Sequence, residues 1–244
     1  TRSTLMSVDS TLSENITAAQ NYIPIASTTN FSTGIVAEIE TTNEVVSFTD
    51  ISSNIGLYSQ VIGTTTASAW ATPSRLVVTQ DALVAPDGTT TATKCVQQSG
   101  QTSAGSNYRP LTMTSTSGLT YTLSVFAKAG TNRNYINFNE NLKDGGHNET
   151  WFNISTGTIG TTAADHTPNL SAEADGWYRC SITFTCSSSQ TGAYYAIYVD
   201  ETDGSRTVTD DEGFLYMWGN QFEIAATATT YLPTTTTAPL YGLT

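Results

Sequence analysis

Asp175-Gly176-Trp177-Tyr178-Arg179-Cys180-Ser181-Ile182-Thr183-Phe184-Thr185-Cys186 opens with a turn dipeptide and continues in period-2 register. Tyr178, Cys180, Ile182, Phe184 and Cys186 fall on one face; Trp177, Arg179, Ser181, Thr183 and Thr185 fall on the other. Side chains alternate across a strand, so the stretch predicts a half-buried β-strand with an apolar inner face and a hydroxyl-rich outer one. We read it as the central strand of a β-sandwich, in which a second sheet covers the apolar face.

The same alternation recurs on both sides of it. In Thr120–Ala129, Tyr121, Leu123, Val125 and Ala127 share a face. In Tyr194–Val199, residues 194, 196 and 198 share one face, and 195 and 197 the other. Further strands are predicted at Leu57–Ile62, Arg75–Thr79, Thr91–Gln97, Tyr108–Thr112, Asn134–Glu140, Glu149–Ile154 and Gly213–Glu223, with a tight turn at Ala85-Pro86-Asp87-Gly88-Thr89. No 3.6-residue periodicity persists beyond two turns. Many short strands with regular turn signals predict an all-β fold, an antiparallel β-sandwich or jelly roll. Residues 1–52 read as a separate small β-module for docking or oligomerisation, 53–237 as the jelly roll and 238–244 as a tail.

Charged residues make up 12% of the 244-residue chain, about half the usual ~25%, and Ser and Thr fill the gap. A hydroxyl-rich surface suits strands. The formal net charge of -12 repels phosphate backbones and anionic lipid, so neither nucleic acid nor a membrane is an expected partner. Cys180 and Cys186 on one strand would stand about 20 Å apart, too far for a disulfide. With Cys95 they read as small buried hydrophobes.

A set of motifs in order carries a family likeness: Ala85–Lys94, Gly118–Gly130, Phe152-Asn153-Ile154-Ser155-Thr156-Gly157, Asp175–Cys180, Tyr216–Glu223 and Thr230-Tyr231-Leu232-Pro233-Thr234-Thr235. Residues 53–237 resemble the jelly-roll domain of phage tail fibres and other virion surface proteins, a domain related to carbohydrate-binding modules and concanavalin-like lectin sandwiches. Asn220-Gln221-Phe222-Glu223 stands where that family more often has Ala-Gln-Leu-Glu. Thr17–Ser27, Phe31–Gly34 and Asn43–Thr49 resemble a short β-module common in phage tail and virion proteins. The resemblance implies a non-enzymatic protein on a virion surface, as capsid decoration, knob or tail-associated adhesin. It implies other virion proteins as partners, homotrimerisation and host-surface polysaccharide as a ligand. The alternatives are a carbohydrate-binding module of a larger glycan-processing protein, or a glycan-depolymerising enzyme.

His147 and His166 stand in loop-like stretches without an HExxH, Cys-X-X-Cys, GxSxG or phosphate-loop pattern, so no catalytic constellation is predicted. Sugars stack their C–H faces on aromatic rings while Asn, Asp and Gln meet their hydroxyls. The candidate glycan contacts are Tyr135, Asn137, Tyr194 and Tyr198, clustered on two strands, and Trp70 in a loop-like stretch. Two acidic runs flank the Tyr194–Val199 and Phe214 strands. If those strands are neighbours, Asp200, Asp203, Asp210 and Asp211 could hold a structural calcium ion through hard oxygen ligands. No other cofactor is expected.

Overall fold

The computed structural model describes residues 36–42, 45–51, 59–60, 62, 70, 73–108, 113–209 and 212–234. The strands in chain order are β1 (Val36–Thr42), β2 (Val45–Ile51), β3 (Leu76–Leu83), β4 (Ala92–Gln97), β5 (Gly105–Tyr108), β6 (Met113–Ser115), β7 (Thr120–Ala129) and β8 (Tyr135–Glu140). Then come β9 (Asn148–Asn153), β10 (Thr158–Thr162), β11 (Thr167–Ala172), β12 (Tyr178–Thr185), β13 (Gln190–Ala193), β14 (Tyr195–Asp200) and β15 (Phe214–Glu223). All the pairings are antiparallel.

A six-stranded sheet runs β11-β12-β7-β15-β4-β3 and a five-stranded sheet runs β10-β9-β8-β14-β5. Within them, β4-β15-β7-β12 and β5-β14-β8-β9 are the two four-stranded layers of a jelly roll. Successive strands β4/β5, β7/β8 and β14/β15 cross from one layer to the other. β1 and β2 form their own two-stranded sheet, joined from Thr42 to Val45. The predicted strand at Leu57–Ile62 and residues 109–112 of the one at Tyr108–Thr112 fall largely outside the described residues, as does most of the 1–52 block.

The strand quoted at the outset is β12. It is interior but not central: β11 lies between it and the sheet edge. β10 and β11 were not predicted, because TIGTT and TPNLSA carry no apolar alternation. Both pair at sheet margins, where little of the strand is buried and backbone hydrogen bonds do most of the holding.

The core lies between the sheets and follows the alternation. Cys180, Ile182 and Phe184 of β12, Leu123, Val125 and Ala127 of β7, and Leu215 and Met217 of β15 face Ile136, Phe138, Phe152, Ile197 and Val199 of the other sheet. Burying each large side chain contributes about 1.5–3 kcal/mol. Tyr121 stacks almost parallel on Phe222, centroids 5.3 Å apart, and Tyr195 closes on the same ring at 5.8 Å. Cys95, Cys180 and Cys186 are all free and buried.

A second apolar cluster lies on the outer face of the six-stranded sheet. Phe126 and Trp218 meet there at 5.2 Å, and Tyr231 closes over both at 5.8 and 4.5 Å. β15 bulges between Trp218 and Gln221, and Gly219 in the bulge has φ 65°. A Cβ there would stand 2.9 Å from the Phe126 ring, so the bulge requires glycine. The chain enters and leaves the sandwich on this side. Ser59 N–H donates to Thr234 O (3.1 Å), Thr234 N–H to Ser59 Oγ (2.8 Å) and Asn220 N–H to Ser59 O (2.9 Å).

Candidate functional site

The outward positions of the five-stranded sheet form a grid set by register. Ser106, Tyr198, Asn137 and Trp151 lie side by side on β5, β14, β8 and β9. Asp200, Tyr135 and Asn153 make the row on one side; Ala196, Asn139 and Glu149 make the row on the other. All have the opposite parity to Ile136, Phe138, Phe152, Tyr195, Ile197 and Val199, whose burial between the sheets fixes which face points out.

The grid is aromatic at its sides and polar at its floor. Trp151 Nε1 donates to Asp200 Oδ2 at 2.7 Å, spanning β8. Asn137 Nδ2 donates to Glu149 Oε1 at 2.9 Å. His147 Nδ1 lies 3.3 Å from both Asn139 Oδ1 and Tyr194 Oη. The loop after β14 folds back across the sheet, so that Arg206 lays its guanidinium over the Tyr198 ring, 4.0 Å from the centroid. Arg206 Nε donates to Glu149 Oε1 at 2.6 Å, and a second guanidinium nitrogen donates to the same oxygen.

Below this cover, four buried polar atoms have no hydrogen-bond partner among the described residues: Ser106 Oγ, Asn137 Oδ1, Asn139 Nδ2 and Asp200 Oδ1. Their residues are at most 1% exposed. An unpaired buried polar group costs about 1–3 kcal/mol, so four on one face is a concentrated expense of stability. Burial pushes the Asp200 carboxyl up to about 7, with the Trp151 indole, the Asn137 amide and the Arg206 charge offsetting part of the rise.

Tyr135, Asn137, Tyr194 and Tyr198 are therefore on one face. Tyr135 and Tyr194 are partly exposed, Asn137 is buried in the floor, and Tyr198 is 6% exposed under Arg206. Trp70 is elsewhere. It is 3% exposed in the inter-sheet core, edge-on to Tyr195 at 6.5 Å, and a ring closed in on the core side offers no stacking platform on this face.

Of the four calcium candidates, the structure describes Asp200 and Asp203, and each is engaged separately. β14 and β15 belong to different sheets, because the jelly roll sends successive strands to opposite layers, so the connection carrying both acidic runs is a crossover rather than a hairpin loop. Asp200 is buried against Trp151, whereas Asp203 accepts from Thr161 N–H (2.7 Å) and Thr161 Oγ1 (3.1 Å) and so clasps the loop to β10. Asp210 and Asp211 lie outside the described residues. No group of three His, Cys, Asp or Glu side chains suited to a metal ion occurs among the described residues.

His166, expected in a loop as a structural or solvated residue, is 6% exposed. Its Nε2 is 3.1 Å from Glu140 Oε1 and its Nδ1 2.8 Å from Thr150 Oγ1, tying the turn after β10 to β8 and β9. Glu149 and Arg206 were missed by the sequence reading. A signal existed: Arg206 is one of only nine Lys and Arg residues, and it sits in an otherwise acidic loop.

No known protein family matches the chain by sequence. No curated protein matches it either. Solved structures resemble it at fold level. The CBM22-2 xylan-binding domain from Paenibacillus barcinonensis is similar at TM-score 0.39 and 12% identity, covering 67% of this chain and 94% of that one. A protein from Bacteroides thetaiotaomicron described as sugar binding is similar at TM-score 0.36 and 10% identity, covering 72% and 95%. Similarity at this level carries no argument about ligand.

Proposed function

We propose that the jelly roll is a non-catalytic glycan-binding module and that it binds through the outer face of its five-stranded sheet. The observation that carries this reading is the buried floor of Ser106, Asn137, Asn139 and Asp200, whose unpaired donors and acceptors are framed by Tyr198, Trp151 and Tyr194. Sites for small polar ligands combine aromatic walls with a few placed polar groups, and the walls here are rings of β14 and β9 with the β8 amides between them. Among the described residues, the two carboxylates on this face are already engaged, Asp200 by the Trp151 indole and Glu149 by Arg206 and Asn137.

Native affinity electrophoresis in gels containing soluble polysaccharides tests this. We expect at least one polysaccharide to retard the protein, and Asn137→Ala to lose about tenfold or more in affinity, the equivalent of about 1.4 kcal/mol. Unchanged retardation of Asn137→Ala would move the site off this face. Release of reducing ends by the purified protein would replace binding with hydrolysis.

A virion location and a homotrimer rest on the sequence resemblance alone, and nothing at the site adds to them. The copy number of the protein in purified particles is their test.

A further inference from the structure

The polar floor and the Arg206 cover face each other, and neither explains the other. Arg206 gives its hydrogen bonds to Glu149 rather than to the unpaired atoms beneath it. We infer that this face takes an uncharged, vicinal-diol sugar that displaces the Arg206 guanidinium from the Tyr198 ring. The inference rests on the glycan-binding reading above and specifies both the ligand class and the gate.

The ligand class follows from what the floor lacks. Asn137 Oδ1 and Asp200 Oδ1 need donors, Asn139 Nδ2 needs an acceptor, and Ser106 Oγ can do either. Adjacent sugar hydroxyls both donate and accept, so a diol can serve mixed partners. A carboxylate, sulfate or phosphate brings only acceptors. It would leave Asn137 Oδ1 and Asp200 Oδ1 still without donors, while the Arg206 charge beside them is already paired with Glu149.

The gate follows from how Arg206 is held. Its backbone is fixed: Ala104 N–H donates to Arg206 O at 2.7 Å, and Ser103 bridges Thr207 beside it. Its side chain is held by one carboxylate oxygen and one ring face. The side chains of Arg206 and Glu149 remain 33% and 26% exposed, so water screens the pair. Solvent-exposed pairs contribute about 0–1 kcal/mol, and this partly exposed pair belongs at the upper end of that range. A planar guanidinium on a tyrosine face occupies the position in which a pyranose ring would stack. Tyr198 also packs with Ala104, Ala196 and Val208, which stay in place, so rotating the Arg206 side chain bares the ring face it covers without movement of the loop.

The test uses the whole chain in affinity gels containing either neutral polysaccharides (a β-glucan, a mannan, a xylan) or anionic ones (polygalacturonate, alginate), with wild type, Arg206→Ala and Asn137→Ala. We expect retardation by a neutral polymer only, and up to about fivefold tighter binding by Arg206→Ala, the equivalent of removing a cover worth about 1 kcal/mol. Asn137→Ala should lose the binding. If wild type binds, Asn137→Ala does not, and Arg206→Ala is weakened, then Arg206 is a ligand contact; the gate falls while the glycan reading stands. Preferential retardation by an anionic polymer overturns the ligand class in the same way. If neither wild type nor Arg206→Ala is retarded by any of the polymers, the reading and the inference fall together.

Discussion

The two outer faces of the sandwich begin alike and end differently. Each carries aromatic rings beside a buried polar strip. On the six-stranded sheet, main chain covers the rings: residues 224–234 run across it and place Tyr231 over Trp218 and Phe126. Arg179 donates to Thr229 O at 2.5 Å and to Ser124 Oγ at 3.0 Å, and Glu223 accepts from Thr229 and Gln221. Of this strip, Arg179 Nε alone is left without a partner. On the five-stranded sheet Tyr198 packs with Ala104, Ala196 and Val208 and carries the Arg206 guanidinium over its ring, and four floor atoms have no partner among the described residues. A face closed by its own backbone, with its polar groups matched, serves stability. A face with unmatched buried groups under a side-chain cover is where the proposed ligand would bind.

The largest effect should come from opening the matched face. Trp218 is 2% exposed, and its Nε1 donates to Thr91 Oγ1 at 2.9 Å. Trp218→Ala should lower the unfolding free energy by about 3–5 kcal/mol in a urea titration while leaving polysaccharide retardation of the folded fraction unchanged. Loss of binding by protein that is still folded would mean that the two faces are coupled, and would break the contrast.

Next in size is the pH dependence of the unmatched face. Asp200 has its carboxyl raised to about 7 from an ordinary value of 3.8. A raised carboxyl stabilises the fold while it is protonated. That contribution is fully present below pH 4 and is lost as pH rises through 7, because the native state then holds a proton the unfolded chain has released. At about 1.4 kcal/mol per unit, Asp200→Asn should match wild type near pH 4 and exceed it by about 2–4 kcal/mol at pH 8. For a chain of this size that is a rise of several degrees in Tm. A difference between the two proteins that does not vary with pH would show that burial does not tune this carboxyl.

The core was largely legible from the sequence, and the two outer faces only in part. Period-2 alternation identified the inward sets on β7 and β12, because burial between two sheets leaves only one register that hides Leu123 and Ile182 together. The same parity grouped Tyr194 with Tyr198 but left open which face of their strand points outward; burial of Tyr195 and Ile197 between the sheets decides it. Parity could not show that Tyr198 is covered, because Arg206 reaches it from a loop whose path depends on the Asp203 clasp to Thr161 and the Ala104–Arg206 backbone bond. Trp70 was misplaced for a related reason. Its loop-like neighbours suggested exposure, whereas its ring fills the core beside Tyr195, a contact distant in sequence. The supposed neighbouring of the Tyr194 and Phe214 strands failed because consecutive strands of a jelly roll change sheets, which alternation along one strand does not encode.

The smallest expected effect is the most discriminating, because it asks whether the Arg206 cover is structural at all. Arg206→Ala and Glu149→Gln, alone and combined, form a double-mutant cycle read by urea unfolding at low ionic strength. An exposed pair sharing a single carboxylate oxygen should show a coupling of about 0.2–1 kcal/mol, shrinking as salt is added. Glu149→Gln keeps an oxygen for the Asn137 amide, so the floor is not disturbed when the charge is removed. A coupling well above 2 kcal/mol would place Arg206 with Arg179, as a buried cation that the fold cannot spare, and the two faces would no longer differ in kind. A coupling within the expected range leaves Tyr198 covered by an interaction weaker than the cost of even one unpaired atom in the floor beneath it, and a ligand that pairs those atoms would then displace the cover at a net gain.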